Sequence, residues 1–339
     1  MARSTCSLRS SSTWPPPRGP AVGLPQDWHS SGSSASLTAM ANNGDVPGDG
    51  SAAGPGTWVE VADRVWTGVL EPDAVTIGLV AGGDGLLVVD TGSTPAQGAA
   101  LRASAERLTG LPVRAVVVTH AHSDHAFGLA AFDDVDTFGH EGLADELASA
   151  PARARAAELG VDPGDLRTPS RPFALAAGVD LGARWVELAH LGVGHTRSDV
   201  VVVVPDARVV FVGDLAESAP SPVDGSPAPW FGPDSVPEEW AATLDAVLGL
   251  VARGDVRAVP GHGPVMTVQD LMLQRGQVAA VAGEVERLVR AGVPAERAVA
   301  EGRWPFPAEH VAEGVPVAHA RLVAAGVRPD PPQLPLLGR

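Results

Sequence analysis

The sequence contains a single cysteine, Cys6, and has neither tyrosine nor lysine. One cysteine cannot form a disulfide within the chain, which excludes a disulfide-dependent fold and favours a cytoplasmic protein. The sequence also lacks a run of about 18 or more apolar residues, which a membrane-spanning helix would require. Its formal net charge of -16 repels phosphate backbones. We therefore expect a protein with neither a nucleic-acid partner nor a membrane partner.

The composition indicates one large folded region preceded by a tail. With 339 residues, of which 45% are hydrophobic, the chain suffices for one domain of about 200 to 250 residues with additional segments. Residues 1–56 are rich in serine, proline and glycine and show no sustained apolar periodicity, so we predict a disordered tail. Met40 is an alternative start of translation inside this tail. The first predicted strand begins near Trp58.

Three histidines and an aspartate are concentrated in the segment His120 to His125, which reads His-Ala-His-Ser-Asp-His. It follows the apolar run 114–119, which predicts a buried strand. Imidazole nitrogen and carboxylate oxygen suit zinc, and a metal explains polar side chains at the end of such a strand. Side chains two residues apart emerge on the same side of an extended chain, so His120 and His122 can converge on one ion. Asp124 and His125 then point elsewhere, which suggests two ions and further ligands.

Further candidate ligands stand beside glycine at the ends of three other predicted strands, at His195, Asp214 and His262. The valine-rich runs 199–204 and 208–212 flank a short turn, which predicts a β-hairpin. One strand of the hairpin leaves the site and the other returns, so we expect its two flanking ligands at the same end of the sheet. The strands that precede the remaining ligands should reach that edge as well.

With these motifs in this order, the chain resembles the metallo-β-lactamase superfamily over about residues 58–262. Asp90, in the segment Val-Val-Asp-Thr-Gly, is similar to the first of five family motifs, and the histidine-rich segment is similar to the second. The other three candidate ligands occupy the remaining motifs. By position, the resemblance implies one metal on His120, His122 and His195, a second on Asp124, His125 and His262, and Asp214 bridging both.

The resemblance also implies an α/β fold of the four-layer αββα type, with the metals at one edge of the sandwich. On this basis we predict a catalytic domain of residues 57–265 and a C-terminal helical extension of residues 266–339. The hydrophobic pattern by itself predicts only mixed α and β structure. It places strands near residues 58–61, 65–69, 75–80 and 86–89, and helices near residues 94–108, 234–251, 268–290 and 294–300.

The activity implied by the resemblance is metal-dependent hydrolysis. Two zinc ions, or iron or manganese in their place, would share a water and lower its pKa to give a bridging hydroxide nucleophile. Asp124 is the predicted catalytic residue, because besides binding metal it can orient the hydroxide and move a proton. Candidates to hydrogen-bond the outer imidazole nitrogens are Asp90, Thr119, Thr196 and Asp199, although capping of strand ends is an equal alternative.

The substrate is constrained less closely. Asp214 stands where one class of zinc β-lactamases has a cysteine, so the chain is more similar to the thioesterase, lactonase and phosphodiesterase branches. We expect cleavage of a small ester, thioester, lactone or amide. Alternatives are a mononuclear iron enzyme resembling persulfide dioxygenases, a zinc β-lactamase, and a non-catalytic metabolite-binding protein. The loop 215–233 should wall the metal cleft, with Trp230 and Phe231 either facing the substrate or fixing the loop to the core.

Overall fold

The computed structural model of the protein describes residues 54–251 and 254–331. Most of the predicted disordered tail, residues 1–53, lies outside the described residues, as do residues 332–339 of the predicted extension. The division of the chain into a catalytic domain that ends at residue 265 and an extension that follows it stays a prediction.

Two β-sheets form the centre of the described structure. The first consists of β1 Trp58–Ala62, β2 Val65–Leu70, β3 Val75–Ala81, β4 Leu86–Val89, β5 Val113–Val117, β6 Asp136–His140 and β7 Arg171–Phe173, in that order. Strands β1 to β4 are antiparallel neighbours, and β4 to β7 run parallel. The second consists of β8 Ala176–Asp180, β9 Trp185–Ala189, β10 Val201–Val204, β11 Val209–Gly213 and β12 Arg257–Pro260. Its order is β12-β11-β10-β9-β8, and the antiparallel pairing of β10 with β11 confirms the predicted hairpin.

The helices flank these sheets. They are α1 Pro95–Thr109, α2 Ser123–Ala126, α3 Leu143–Leu147, α4 Ala150–Glu158, α5 Pro237–Val251, α6 Val268–Arg290, α7 Ala295–Glu301, α8 Ala308–Val311 and α9 Gly314–Ala324, with 3-10 helices at Phe127–Phe132 and Pro163–Asp165. Helix α1 begins where the Thr94 side chain accepts a hydrogen bond from the Gln97 N–H, and it ends at Gly110 in a left-handed conformation. Within the described residues, no helix combines the length and apolar character needed to cross a membrane.

Helix α5 begins at Pro237, three residues later than the sequence pattern predicts. Proline is well suited to the first turn of a helix, and the residue before it avoids helical conformation. The Val236 N–H accordingly donates a hydrogen bond to the Gly194 carbonyl at 2.8 Å. Asp234 therefore remains in the preceding loop, where its side chain is available to the site described below.

Three hydrophobic clusters explain how the layers stack. Between the sheets, Val80 and Leu87 of the first sheet belong to one buried cluster with Val202 and Phe211 of the second. The outer face of the first sheet packs against α1, where Leu101 is fully buried. The outer face of the second sheet packs against α5, α6 and α9. The resulting order of helix, sheet, sheet and helix confirms the predicted αββα sandwich with C-terminal helices.

Candidate metal centre

Loops that follow strand ends bring the predicted ligands to one edge of the sandwich. His120 follows β5, His195 follows β9, Asp214 follows β11 and His262 follows β12. Because β9 and β11 are both antiparallel to β10, and β12 is parallel to β11, the loops with His195, Asp214 and His262 leave the second sheet at the same end. The first sheet is held beside it by hydrogen bonds such as that from the Val200 N–H to the Thr119 carbonyl at 2.8 Å.

The seven predicted ligands form two groups, which we call together the seven-residue cluster. Potential donor atoms of the first group lie within 4.8 Å of one another, and so do those of the second; the groups are His120, His122, His195 and Asp214, and Asp124, His125 and His262. Asp214 Oδ2 is 3.5 Å from His195 Nε2 and 3.5 Å from His262 Nε2, so this carboxylate lies between the groups. The structure thus brings the seven side chains together in the grouping that the family resemblance implies.

Asp90 orients two of the histidines. Its Oδ2 accepts hydrogen bonds from His125 Nδ1 at 2.8 Å and from the Thr119 hydroxyl at 2.9 Å, and its Oδ1 accepts one from the Thr119 N–H at 2.7 Å. Because the Thr119 hydroxyl donates to Asp90, it accepts from His120 Nδ1, which lies 3.1 Å away. The Nδ1 atoms of His120 and His125 therefore carry protons, and their Nε2 atoms face the cluster.

His122 is oriented in the opposite sense by Asp234, a residue that the sequence analysis missed. Asp234 Oδ2 lies 2.9 Å from His122 Nε2, so this nitrogen donates the hydrogen bond, and His122 Nδ1 lies 2.9 Å from His195 Nε2. The two partners are 112 residues apart in the sequence. The available signal was weak: Asp234 directly follows a loop that was already expected to wall the cleft.

Thr196 and Asp199, the other two candidates for contact with the rings, hydrogen-bond each other. The Asp199 carboxylate accepts hydrogen bonds from the Thr196 N–H at 3.0 Å and from its hydroxyl at 2.7 Å. These bonds close the loop that follows His195. For this pair, the alternative of loop capping is the one that the geometry supports.

Burial and charge determine the protonation of the first group. Burial lowers the pKa of His120 well below its usual value, with repulsion from His125 adding to the effect, and burial lowers the pKa of His195 to about 4. Both rings are neutral at neutral pH, which is the form that binds metal. Burial alone would raise the pKa of Asp214, but His125 and His262 lower it well below its usual value, so the carboxylate is ionised.

The second group attracts positive charge. Burial alone would lower the pKa of His262, but the nearby Asp214 and Asp124 raise it to about 11. The pKa of His125 is likewise raised well above its usual value by the same carboxylates, against the effect of burial. Positive charge on this side of the cluster is therefore favoured, either as protons on the rings or as a metal ion that replaces them.

Several buried polar atoms of the cluster have no hydrogen-bond partner among the described residues. They include His120 Nε2, His125 Nε2 and Asp214 Oδ1. An unpaired buried polar atom costs about 1–3 kcal/mol. These atoms converge, since His120 Nε2 is 3.7 Å and His125 Nε2 is 3.4 Å from the Asp214 carboxylate. Imidazole nitrogen and carboxylate oxygen are zinc ligands, so the residues present fit a metal centre.

Glycine beside the ligands is required by space. A Cβ at Gly261 would overlap Asp214 Oδ1 and lie 3.0 Å from His125 Cε1. Gly213 has a φ of 53°, and a Cβ there would lie 3.0 Å from the Thr119 side chain. Both positions therefore need glycine for the close approach of the loops that carry Asp214 and His262.

A cavity of about 800 Å³ opens on the cluster. The cluster residues in its wall are His122, Asp124, His195, Asp214 and His262. The rest of the wall is largely apolar near the loop 215–233, where Pro220, Pro222, Ala228 and Trp230 contribute. A cluster of metal-ligand type thus faces a space large enough for a small organic molecule.

The two aromatic residues of that loop have different roles. Trp230 lines the cavity and is 40% exposed, as expected of a residue that faces the substrate. Phe231 is 0% exposed, and its ring centroid lies 4.8 Å from that of Trp240 and 5.9 Å from that of Phe306. For Phe231, the alternative of fixing the loop to the core is the one that the geometry supports.

Comparison with known families identifies the superfamily to which the fold belongs. The family model of the metallo-beta-lactamase superfamily matches residues 70–262, which is more than half of the chain. The chain belongs to the metallo-beta-lactamase superfamily. The match contains the whole seven-residue cluster and ends at His262, so helices α6 to α9 lie beyond it.

Curated relatives within the superfamily differ in substrate. The chain is 28% identical over 151 residues to metallo-beta-lactamase type 2 of Bacillus sp. (strain 170), covering 44% of this chain and 51% of that protein. It is 31% identical over 163 residues to acyl-coenzyme A thioesterase MBLAC2 of Homo sapiens, covering 43% of this chain and 54% of that protein. The chain therefore spans about half the length of these curated relatives.

Solved structures bear on the fold. The metallo-beta-lactamase from Pontibacter korlensis matches with a TM-score of 0.50 at 20% sequence identity, covering 66% of this chain and 98% of that chain. Members of the metallo-beta-lactamase superfamily are in general hydrolytic enzymes with a metal-binding fold. The reaction of this chain must be inferred from its own cavity.

Proposed function

We propose that this metallo-beta-lactamase superfamily protein hydrolyses small carboxylic esters or thioesters with two metal ions, zinc by preference, held by the seven-residue cluster. The observation that carries the proposal is that five histidines and two carboxylates form one cluster, five members of which line a cavity, with buried nitrogen and oxygen atoms of the cluster unpaired among the described residues. Lactones and amides contain the same acyl carbonyl and are alternative substrates. Iron and manganese are alternative metals.

The orientation of the rings supports two ions. His120 Nε2, His122 Nδ1 and His195 Nε2 would hold one, Asp124, His125 and His262 would hold the other, and Asp214 would contact both. When bound, such ions would polarise an acyl carbonyl and lower the pKa of water to about 7. The fixed ring orientations matter because each histidine must present a lone pair to its ion.

Asp124 is the proposed catalytic residue. Burial alone would raise its pKa, but His125 and His262 lower it well below its usual value, and its side chain lines the cavity. Asp124 takes a proton from the attacking water as the new carbon–oxygen bond forms. It returns this proton to the departing oxygen or sulfur when the acyl bond breaks. Asp90 and Asp234 are positioning residues that act through the histidines.

The charge of the cavity favours a substrate without phosphates. Of the described residues that line the cavity, Arg155 is the sole arginine, and its guanidinium pairs with Glu158 at 3.3 Å. Carboxylates of Asp73, Glu146 and Glu313 also line the cavity. The similarity to an acyl-coenzyme A thioesterase supports thioesters as substrates. The phosphates of coenzyme A would nevertheless have to lie outside this acidic space.

The same charge and the single cysteine support a cytoplasmic enzyme that acts on a small molecule, with neither a nucleic-acid nor a membrane partner. Cell fractionation tests the location. Retention of the protein on immobilised nucleic acid at physiological salt would contradict the proposal that it has no nucleic-acid partner.

The central test combines metal analysis with a substrate panel. The purified full chain is analysed for metal content, stripped with a chelator, reloaded with zinc, manganese or iron, and assayed on an ester, thioester, lactone, anilide and β-lactam with similar acyl groups. We expect about two zinc ions per chain and turnover of the ester or thioester that is lost on stripping and restored by zinc. Asp124→Asn should lower kcat at least 100-fold, in the range expected for general acid–base groups. Asp245→Asn, which removes a surface partner of Arg275, is the matched control.

Three results would overturn the proposal. Ester hydrolysis that persists after stripping would remove the cluster from the mechanism, and hydrolysis that persists in Asp124→Asn would remove Asp124 from it. One iron per chain, with oxygen consumed in the presence of a persulfide, would favour the dioxygenase alternative. Tight binding of panel members without turnover would favour a binding protein.

A further inference from the structure

The C-terminal helices contribute part of the cavity wall. His310 of α8 and Glu313, just before α9, both line the cavity, and both lie beyond the residues matched by the family model. Ser221, in the loop after β11, lines the cavity beside them. His310 and Glu313 therefore contribute a part of the wall that lies outside the family match, whereas Ser221 lies within it.

Ser221 and His310 form a buried polar pair beside several apolar lining residues. His310 Nε2 lies 2.9 Å from Ser221 Oγ, and the two residues are 7% and 4% exposed respectively. The neighbouring lining residues Pro220 and Pro222 are apolar, and the ring centroid of Trp230 is 5.3 Å from that of His310. The pair is held in place from both sides, because the Val223 N–H donates to Ser221 Oγ at 3.2 Å and the Phe231 N–H donates to the His310 carbonyl at 2.8 Å.

This pair has an unused hydrogen-bond donor in either neutral tautomer. If the Ser221 hydroxyl donates to His310 Nε2, the proton of the ring is on Nδ1, and this atom is buried without a partner among the described residues. If His310 Nε2 donates to Ser221 instead, the hydroxyl proton of Ser221 is the unused donor. A buried donor without an acceptor costs about 1–3 kcal/mol, which is a reason to expect that a ligand supplies the acceptor.

The local charge selects the kind of acceptor. Glu313 lines the cavity three residues after His310, and its carboxylate would repel an anionic ligand. Asp224 also lies near His310. The pKa of Asp224 is lowered mainly by hydrogen bonds from Ser226, and His310 adds to this lowering. A carboxylate or phosphate of a ligand would meet these negative groups, whereas a neutral carbonyl or hydroxyl oxygen would not.

We propose that Ser221 and His310 form a recognition site for a neutral oxygen atom carried on the acyl chain of the substrate, away from the bond that is cleaved. The inference rests on the proposed hydrolysis, because it assigns the substrate class of that same cavity. The preferred substrates are then oxo- or hydroxyacyl esters or thioesters rather than plain alkanoyl ones. The two side chains set specificity and take no part in bond cleavage.

The test compares ligands that differ by one neutral oxygen. Zinc-loaded full-length protein is titrated with octan-2-one and with octanediones in which a second carbonyl is placed at successive positions along the chain; ketones of this kind have no hydrolysable bond. The kinetic counterpart uses p-nitrophenyl octanoate and its oxo analogues. We expect one position of the second carbonyl to improve Kd and KM by about three- to tenfold, the range of one net hydrogen bond, with kcat nearly unchanged.

The variants separate recognition from stability. His310→Leu and Ser221→Ala should abolish the preference for the oxo ligand while leaving the Kd of octan-2-one within about twofold. His310→Gln should retain part of this preference, because the glutamine amide can donate a hydrogen bond. His319→Leu is the matched control, since His319 is a buried C-terminal histidine that bonds the Val293 carbonyl at 2.8 Å and does not line the cavity. It should lower thermal stability without changing the preference.

Two results would overturn the inference: no octanedione binds better than octan-2-one, or His310→Leu and Ser221→Ala weaken both kinds of ligand equally. Absence of ester hydrolysis with a retained, His310-dependent preference for a dione would refute the proposed function alone. Hydrolysis without such a preference would refute the recognition site alone.

Discussion

Replacement of Asp90 by asparagine tests whether ring orientation controls the metal centre. The Asp90 carboxylate accepts three hydrogen bonds, at 2.8 Å from His125 Nδ1 and at 2.9 and 2.7 Å from Thr119. An amide has one acceptor oxygen, so its NH₂ group must face at least one of these donors. His125 can avoid this contact between two donors by carrying its proton on Nε2, the atom that faces Asp124 and Asp214.

A proton on Nε2 competes directly with a metal ion. Loss of such an outer hydrogen-bond partner typically lowers metal affinity 10- to 100-fold, which corresponds to about 1.4–2.8 kcal/mol. Backbone strain does not confuse the result. Asp90 has a φ of 66°, and asparagine tolerates this left-handed region about as well as aspartate. Alanine would lack this advantage, so asparagine is the sharper substitution.

The assay is a competitive zinc titration against a chromophoric chelator, followed by kcat/KM at saturating zinc. Thr137→Val is the matched control, because it removes the partly buried hydrogen bond of 2.8 Å from the Ser170 N–H to the Thr137 hydroxyl outside the cluster. Both variants should lose stability, but only Asp90→Asn should lose zinc affinity. Wild-type affinity for both ions in Asp90→Asn would refute the argument that Asp90 sets the orientation of the ring.

Further predictions concern other parts of the site. Asp234→Ala removes the acceptor of His122 Nε2, so one of two zinc ions should bind about tenfold more weakly. Equal weakening of both ions would contradict separate groups. Gly261→Ala should abolish tight zinc binding, because the new Cβ would overlap the Asp214 carboxylate. Its control is Gly249→Ala, at an exposed position of α5 where the new Cβ would meet no atom within 4 Å, and this variant should have a higher melting temperature. Burial, with Asp214 adding, raises the pKa of Glu217 to about 8. The folded metal-free protein therefore holds this proton more tightly than the unfolded chain, and stability should fall between about pH 4.5 and pH 8. In urea titrations Glu217→Gln should lose less stability over this range, and an equal loss would refute the assignment.

The sequence was most informative where a hydrophobic run ends in a ligand. The strands before His120 and Asp214 are continuous valine-rich segments, so their existence and their ends could be predicted from the pattern alone. The start of α5 could not, since the predicted helix includes Asp234, which the structure uses as a partner of His122. That contact joins residues 112 positions apart and depends on the packing of a loop, which leaves no periodic signal.

The loop that carries Trp230 shows the same limit. Adjacent aromatic residues in a proline-rich segment have equal claims to face a substrate, and the sequence gives no means to separate them. In the structure, the Trp230 N–H donates to Glu217 at 2.9 Å, and Phe231 is held by Trp240 and Phe306. These partners lie on separate elements, so the division between a wall residue and a core residue is decided by tertiary packing.

The seven-residue cluster and the loop 215–233 should therefore respond differently to mutation. The ligands are placed by strand ends whose positions are fixed by close packing between the sheets; a Cβ at Gly78, for example, would overlap the ring of Phe211. The loop 215–233 is held in place by a few hydrogen bonds, such as those between the Glu217 backbone and the Gln274 side chain at 2.7 and 3.0 Å. Gln274→Leu leaves the sheets untouched but removes these bonds, so it should change KM and selectivity with little effect on zinc affinity. An equal loss of zinc affinity would show that the geometry of the seven-residue cluster depends on the position of this loop.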